Sequence, residues 1–313
     1  MSMRSSVALV AMSVAVVVAG CTAEADVAPE PTPTGLVGAL GQARAADESS
    51  VLVEYGDVAA VRALVAKDAE RFRPLLGYGY SDLAGRADAL PELVGFDPGA
   101  ATTALRVGQS PAWAGVLRMD VDVAAVEAKL AALGGKRSGQ GVWVTAEDGE
   151  VVPDGPLAEA GIVTGFQQVR VEADAVTYAP TGESLKWLTE PGDRSLAADP
   201  MIGELARCLG DVSAAVISKP KSGLPVAAGV RTTPSGEATE VVCVPDENPN
   251  ALKDLVRTNL DGAPWSTVLP GAAVEQPADQ TGVVRVLAPA TADTRVGRVL
   301  KASQQGDLPS LFS

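Results

Sequence analysis

Gly115–Ala146, GVLRMDVDVAAVEAKLAALGGKRSGQGVWVTA, decides the fold class. Gly115–Met119 reads as a strand. Asp120-Val121-Asp122 then turns the chain and offers a carboxylate to the first free N–H groups of a helix. Val123, Val126, Leu130 and Leu133 recur at helical spacing over Val123–Leu133, and Gly134 stands where a left-handed C-terminal residue belongs. Gly141–Ala146 (GVWVTA) returns as a strand. Strand, capped helix and strand in so short a span predict a domain of mixed elements rather than an all-helical or all-strand one.

The same alternation extends in both directions. Upstream, Val51–Tyr55 (VLVEY) reads as a strand, Asp57 as an N-cap, and Val58 to about Leu76 as one helix, broken by Gly77-Tyr78-Gly79-Tyr80. Downstream, Gln168–Ala173 and Ala175–Ala179 read as a tight hairpin followed by a short helix from Gly182. Asp199-Pro200 opens a helix over Met201–Leu209, with proline at its first position. Ala214–Ser218 is a strand, Pro225–Thr232 and Ala238–Val244 a second hairpin, and Asn248-Pro249 opens a helix to about Leu260. Gly282–Leu287 and Asp293–Ala302 read as a last strand and a last helix. The expectation is an α+β fold, with mixed or antiparallel sheets and packed helices.

The strand, acidic turn, helix and strand of residues 115–146 recur more loosely over 238–287, which predicts two related halves. They meet near the Glu190-Pro191-Gly192-Asp193 turn, giving an α+β lobe over 35–190 and a second over 191–313. Chance similarity between two common motifs is the competing account.

The first 34 residues do not belong to either lobe. Arg4 provides a positive start, and VALVAMSVAVVVAG (7–20) is apolar but too short to span a bilayer comfortably. It ends in Val18-Ala19-Gly20-Cys21, small residues followed by a thiol. This ending resembles the lipobox of bacterial lipoproteins. The resemblance implies that residues 1–20 are a signal peptide, that Cys21 is acylated, and that the chain is held to the outer face of the cell membrane. Two or three acyl chains anchor stably because each buried CH₂ contributes about 0.8 kcal/mol. Residues 21–34, rich in Pro and Thr, then form a tether that reaches roughly 40 Å in an extended conformation. GFDP (95–98), MDVDVAAVEAKLAALG (119–134) and SLAADPMIGELARCLG (195–210) also resemble lipoproteins of high-GC Gram-positive bacteria, a class that offers location and fold but no chemistry to transfer.

Charge and composition remove whole classes of function. The net charge of −14 disfavours nucleic acid and polybasic docking on anionic lipid. The chain has no histidine, which removes Ser-His-Asp and Cys-His catalysis, histidine zinc sites and imidazole acid–base chemistry together. Ser218-Lys219-Pro220-Lys221 matches the Ser-x-x-Lys spacing of penicillin-binding enzymes, but follows a strand and carries a proline inside the motif. Asp120 and Asp122 form a carboxylate pair whose plainer role is helix capping, and the same holds for Asp246-Glu247. No acidic loop of EF-hand pattern and no glycine-rich phosphate cradle is found, so no metal and no cofactor is expected.

Three further residue sets carry expectations. Cys208 and Cys243 are an even pair in an exported chain and read as a disulfide, with two buried thiols as the alternative. Tyr78, Tyr80 and Trp113 are candidates to line a ligand groove, although rings folded back on the core would serve equally. Aliphatic side chains dominate, which suits a plain core or an acyl-chain cavity alike. The functional expectation is a non-enzymatic binding or scaffolding lipoprotein of the cell envelope, attached to the membrane through its N-terminal lipid, with an envelope protein as partner. The alternative is a carrier of a lipid or other hydrophobic small molecule.

Overall fold

In the computed structural model, twelve strands among the described residues join into one antiparallel sheet with helices on both faces. The structure describes residues 34–139, 141–190 and 192–313. The signal, Cys21 and the tether up to residue 33 lie outside the described residues.

The strands are β1 (Leu52–Gly56), β2 (Thr103–Gln109), β3 (Ala112–Arg118), β4 (Lys136–Arg137), β5 (Val142–Val144), β6 (Gln168–Glu172), β7 (Ala175–Ala179), β8 (Ala214–Ser218), β9 (Val226–Thr232), β10 (Ala238–Pro245), β11 (Ala273–Glu275) and β12 (Val283–Ala290). They lie in the order β11-β12-β10-β9-β8-β1-β2-β3-β7-β6-β5-β4. The order is mirrored about the β1/β8 pair. Outward from it run β1-β2-β3-β7-β6 on one side and β8-β9-β10-β12-β11 on the other. Both halves use the same plan: three consecutive antiparallel strands, a helix, then two strands of which the second inserts beside the third. The N-terminal half adds β5 and β4 at its rim.

Seven longer helices cover this sheet: α1 (Gly35–Gly41), α2 (Val58–Lys67), α3 (Val123–Ala132), α4 (Gly182–Thr189), α5 (Pro200–Leu209), α6 (Pro249–Asp261) and α7 (Arg298–Gln305). Successive strand residues point to opposite faces, and both faces are buried. On one, Val53, Tyr55, Leu105, Val107, Ala215, Ile217 and Val241 pack under α1, α4 and α5. On the other, Val216, Ala228, Val242 and Val286 pack under α2, α6 and α7, with Leu117, Val176 and Tyr178 under α3.

Local chemistry sets most helix starts. Asp57 accepts from the N–H of Ala60 at 2.9 Å, Asp122 from Ala125 at 3.1 Å and Asn248 from Ala251 at 3.4 Å. Asp199 accepts from both Met201 and Ile202. Strands β2, β4 and β11 are not expected from the sequence, the last strand runs to Ala290 instead of Leu287, and two helix boundaries move. The helix expected over residues 58–76 stops at Lys67, because Asp68 leaves helical geometry and its carboxylate bonds the N–H of Arg71, starting a separate turn. The last helix starts at Arg298 rather than Asp293. There the cap is tertiary: Glu240 of β10, 1% exposed, accepts from the N–H groups of Gly297, Arg298 and Val299.

Cys208 of α5 and Cys243 of β10 form a disulfide with 6.2 Å between Cα atoms. It staples helix to sheet within the C-terminal half and closes a loop with a sequence separation of 35, a constraint of about 3–4 kcal/mol in the chain-entropy account. Beside it, Arg231 and Arg285 both donate to the carbonyl of Cys208, neutralising the C-terminal end of α5.

Candidate functional site

Strand register places one residue from each strand in a single transverse line across the sheet. In the N-terminal half this line reads Glu54, Arg106, Gly115, Tyr178; in the C-terminal half it reads Val216, Ala228, Val242, Val286. Glu54 and Val216 are direct partners at the junction. One half of the line is therefore ionic and the other aliphatic, under a covered face of the sheet.

The glycine in this line has a steric reason. A Cβ on Gly115 would lie 2.5 Å from Cζ of Tyr178 and 2.7 Å from its hydroxyl oxygen, so the tyrosine ring passes over β3 toward β2. Trp113, two residues earlier on the same face of β3, meets Tyr178 edge-on at 5.8 Å. The Arg106 guanidinium lies 4.7 Å from the centre of the Trp113 ring, a cation–π contact. Phe166 stacks on the far side of Tyr178 at 5.4 Å.

Two carboxylates face Arg106. Glu54 approaches to 3.9 Å and Asp82, from the short helix Ser81–Ala84, to 3.6 Å. The side chains of Arg106, Glu54 and Asp82 are 11%, 14% and 20% exposed. Gly79 brings Asp82 to this place. Its φ of +82° suits glycine, and a Cβ there would lie 2.3 Å from the Ala104 carbonyl, so residues 77–80 lie flat on β2. Burial pushes the Asp82 carboxyl up to about 6, against the opposing pull of Arg106. Burial, then the neighbouring Asp82, pushes the Tyr178 hydroxyl well above its ordinary range. The Tyr178 hydroxyl and Arg106 Nε both turn toward the Asp82 carboxylate, Nε at 3.6 Å, without a short hydrogen bond between them. The arrangement holds charge that is covered but not sealed: Glu54 and Arg106 are part-buried, and Asp82 reaches the surface. A carboxylate with a raised pKa and a guanidinium lie together in it.

Two openings lie near this cluster. Under the segment 145–167, Leu133, Val152, Leu157, Ile162, Val163 and Phe166 line an apolar pocket of about 120 Å³. Its Phe166 is the ring that stacks on Tyr178. On the opposite face of the sheet, α1 and α4 flank a groove of about 340 Å³ whose lining includes Gly38, Leu105, Val116, Leu188 and the charged Arg118 and Asp174. Among the described residues, no three His, Cys, Asp or Glu side chains gather in a metal-binding arrangement.

The residues nominated from sequence are distributed differently. Tyr78 joins the core cluster under α2, α6 and α7, whereas Tyr80 and Trp113 join the cluster under α3. All three rings are at most 7% exposed; positive φ at Gly77 and Gly79 folds the tyrosines inward instead of along a groove. Asp122 is occupied as a cap while Asp120 is exposed. Ser218 ends β8, and Lys219 pairs with Asp199 at 3.4 Å, so Ser218 and Lys221 share no helical turn. Asp246 accepts from the N–H of Asn248. Glu54, Asp82, Arg106 and Tyr178 were not nominated. Glu54 alternates with Val53 and Tyr55 and reads as a wet-face residue; only the cover over that face makes it interior.

The chain matches no family model, no curated protein and no solved structure.

Proposed function

We propose that the chain is a non-catalytic binding or scaffolding module of the cell envelope, anchored by lipid on Cys21. The observation that carries this reading is a sheet packed on both faces, with an apolar pocket sized for one side chain. An apolar cavity of about 150 Å³ holds one benzene, so about 120 Å³ has no room for an acyl chain. A protein partner that inserts a residue fits it. The Cys208–Cys243 disulfide belongs to an oxidising, extracytoplasmic compartment, and no helix among the described residues is long and apolar enough to cross a membrane. The disulfide agrees with display outside the cytoplasm.

A carrier role is the second reading, favoured by the groove between α1 and α4, whose volume of about 340 Å³ falls within the range of about 300–1,000 Å³ for small-molecule sites. Native mass spectrometry of the full chain, purified gently from its own envelope, separates the two. The protein mass without a second, stoichiometric non-covalent lipid is expected. A lipid that leaves only on denaturation would transfer the assignment to the carrier. The anchor has its own test: Cys21→Ala is expected to move the protein out of the membrane fraction, and retention there would exclude lipid attachment at Cys21.

A further inference from the structure

Resting on the binding-module reading, we propose that the pocket under residues 145–167 docks a cationic segment of another envelope protein, which inserts one branched aliphatic side chain flanked by Lys or Arg.

The pocket is built before anything enters it. Thr145 Oγ1 donates to the carbonyl of Phe166 at 2.6 Å, and Gln167 Nε2 to that of Glu150 at 2.6 Å. The N–H of Val152 donates to the Val163 carbonyl at 3.1 Å, and that of Ile162 to the Leu157 carbonyl at 2.8 Å. Phe166 is fixed from below by the Tyr178 stack. Walls held this way lose little freedom on binding, which leaves more of the contact energy for affinity.

Its mouth is apolar and unusually open. Val163 of the lining is 38% exposed, and Val151, next to the lining residue Val152, is 59% exposed. The volume of about 120 Å³ matches a leucine or isoleucine side chain better than an aromatic pair or a lipid tail.

The rim gives the sign of the partner. From residue 145 to 167 the chain carries Glu147, Asp148, Glu150, Asp154 and Glu159 and no lysine or arginine of its own; one cation from elsewhere, the Arg86 guanidinium, lies against Gly161, so acids still outnumber bases at the rim. Asp148 is engaged, accepting from Gln168 and from the N–H of Gly182. Glu147, Glu150, Asp154 and Glu159 are exposed, and none forms an ion pair among the described residues. A second copy of this chain, at −14, would bring like charge to the rim, and an anionic lipid surface would be repelled for the same reason. A basic segment gains at the rim while its aliphatic residue is desolvated at the centre, the usual division of labour in a small interface. The shared plan of the two halves places this segment where the C-terminal half has only residues 262–272 between α6 and β11. The pocket is thus an addition to the common fold and not part of it.

Photocrosslinking of the full-length chain in its own envelope tests the proposal. Benzoylphenylalanine replaces Val151, the exposed neighbour of the lining residue Val152, and, in a second protein, Leu255 on α6, which is 39% exposed in the other half. The expected result is an adduct from position 151 whose crosslinked peptide, sequenced by mass spectrometry, holds a Leu, Ile or Val among Lys or Arg residues. Val163→Asp is expected to cut its yield about tenfold or more, and Asp154→Lys with Glu159→Lys to cut it at low salt but much less at high salt. These positions are exposed, so a thermal melt and an intact Cys208–Cys243 bond confirm folding of each variant. An adduct that ignores Val163→Asp, or that carries no basic residue, overturns the docking site. Adducts from 255 alone overturn it while leaving the binding-module reading standing. Silence at both positions removes both.

Discussion

The two halves of the sheet occupy the same positions with opposite chemistry. Along one line, Val216, Ala228, Val242 and Val286 fill the C-terminal half with carbon, and Glu54, Arg106, Gly115 and Tyr178 fill the N-terminal half with charge, a gap for a ring, and a phenol. The comparison teaches that this architecture does not require buried charge at that line, because half of it does without. Replacing buried ion pairs by well-packed apolar residues is often neutral or stabilising. The ionic half therefore carries a cost that the aliphatic half avoids, and the covering elements differ accordingly. Residues 57–102 bring Asp82 over β2 and residues 145–167 bring Phe166 over Tyr178, whereas β8 and β9 are joined by residues 219–225 alone.

The largest effect expected from disturbing this contrast is at its centre. Arg106→Leu leaves Glu54 and Asp82 facing each other without their cation, and should lower stability by about 3–5 kcal/mol near pH 7.5 in a urea melt. Adding Glu54→Val and Asp82→Leu, which makes the line resemble the other half, should restore most of that loss. A single variant as stable as the parent would mean that solvent, not Arg106, compensates the two acids.

Asp82 gives a smaller effect with a pH signature. Its folded carboxyl titrates near 6 and binds its proton more tightly than the unfolded chain. Stability contributed by the protonated form is therefore withdrawn as pH rises from about 4 to about 6, by about 3 kcal/mol at most. Asp82→Asn should raise stability near pH 7.5 by about 1–3 kcal/mol and change it little at pH 4. Melts at the two pH values decide this, and a variant destabilised equally at both would show the ion pair with Arg106 outweighing burial.

The smallest effect tests the likeness of the halves rather than their difference. Helices α3 and α6 hold the same place in the two plans, and Asp122 and Asn248, directly ahead of them, each accept from the N–H three residues on. Asp122→Ala and Asn248→Ala should each cost about 1 kcal/mol, and a severalfold disparity in thermal melts would argue that the helices are not equivalent.

How much of this was readable follows from where each signal resides. Caps at Asp57, Asp122, Asp199 and Asn248 act on the next three residues, so the sequence shows them directly. The hairpins β6/β7 and β9/β10 are equally local, and the Cys208–Cys243 pairing needed only a count of cysteines. Strand β2 (TALRVGQ) was not expected, because only Leu105 and Val107 give it an apolar face and Gly108 weakens the strand signal. The start of α7 was hidden for a different reason: its cap, Glu240, lies 57 residues earlier than Gly297. The ionic cluster draws on β1, β2, β7 and the Ser81–Ala84 turn, so its members converge only after the register is known. Glu54 was visible as a charge within an expected strand, while Arg106 lay in a stretch that was not expected to be one. What was missing was that the face they point to is covered.

The rims of the sheet have a consequence for how such a molecule behaves in a crowd. Twelve strands at about 4.8 Å make a surface more than 50 Å wide, and an open sheet of that width ends in two lines of unpaired backbone groups. Here the outermost strands are stubs. β4 has two residues, the exposed Lys136 and Arg137, and β11 has three, ending in Glu275. A neighbouring strand would find too few N–H and C=O groups to add itself in register, and would meet charge where it tried. The width of the sheet can thus be kept without making it a template for stacking into filaments.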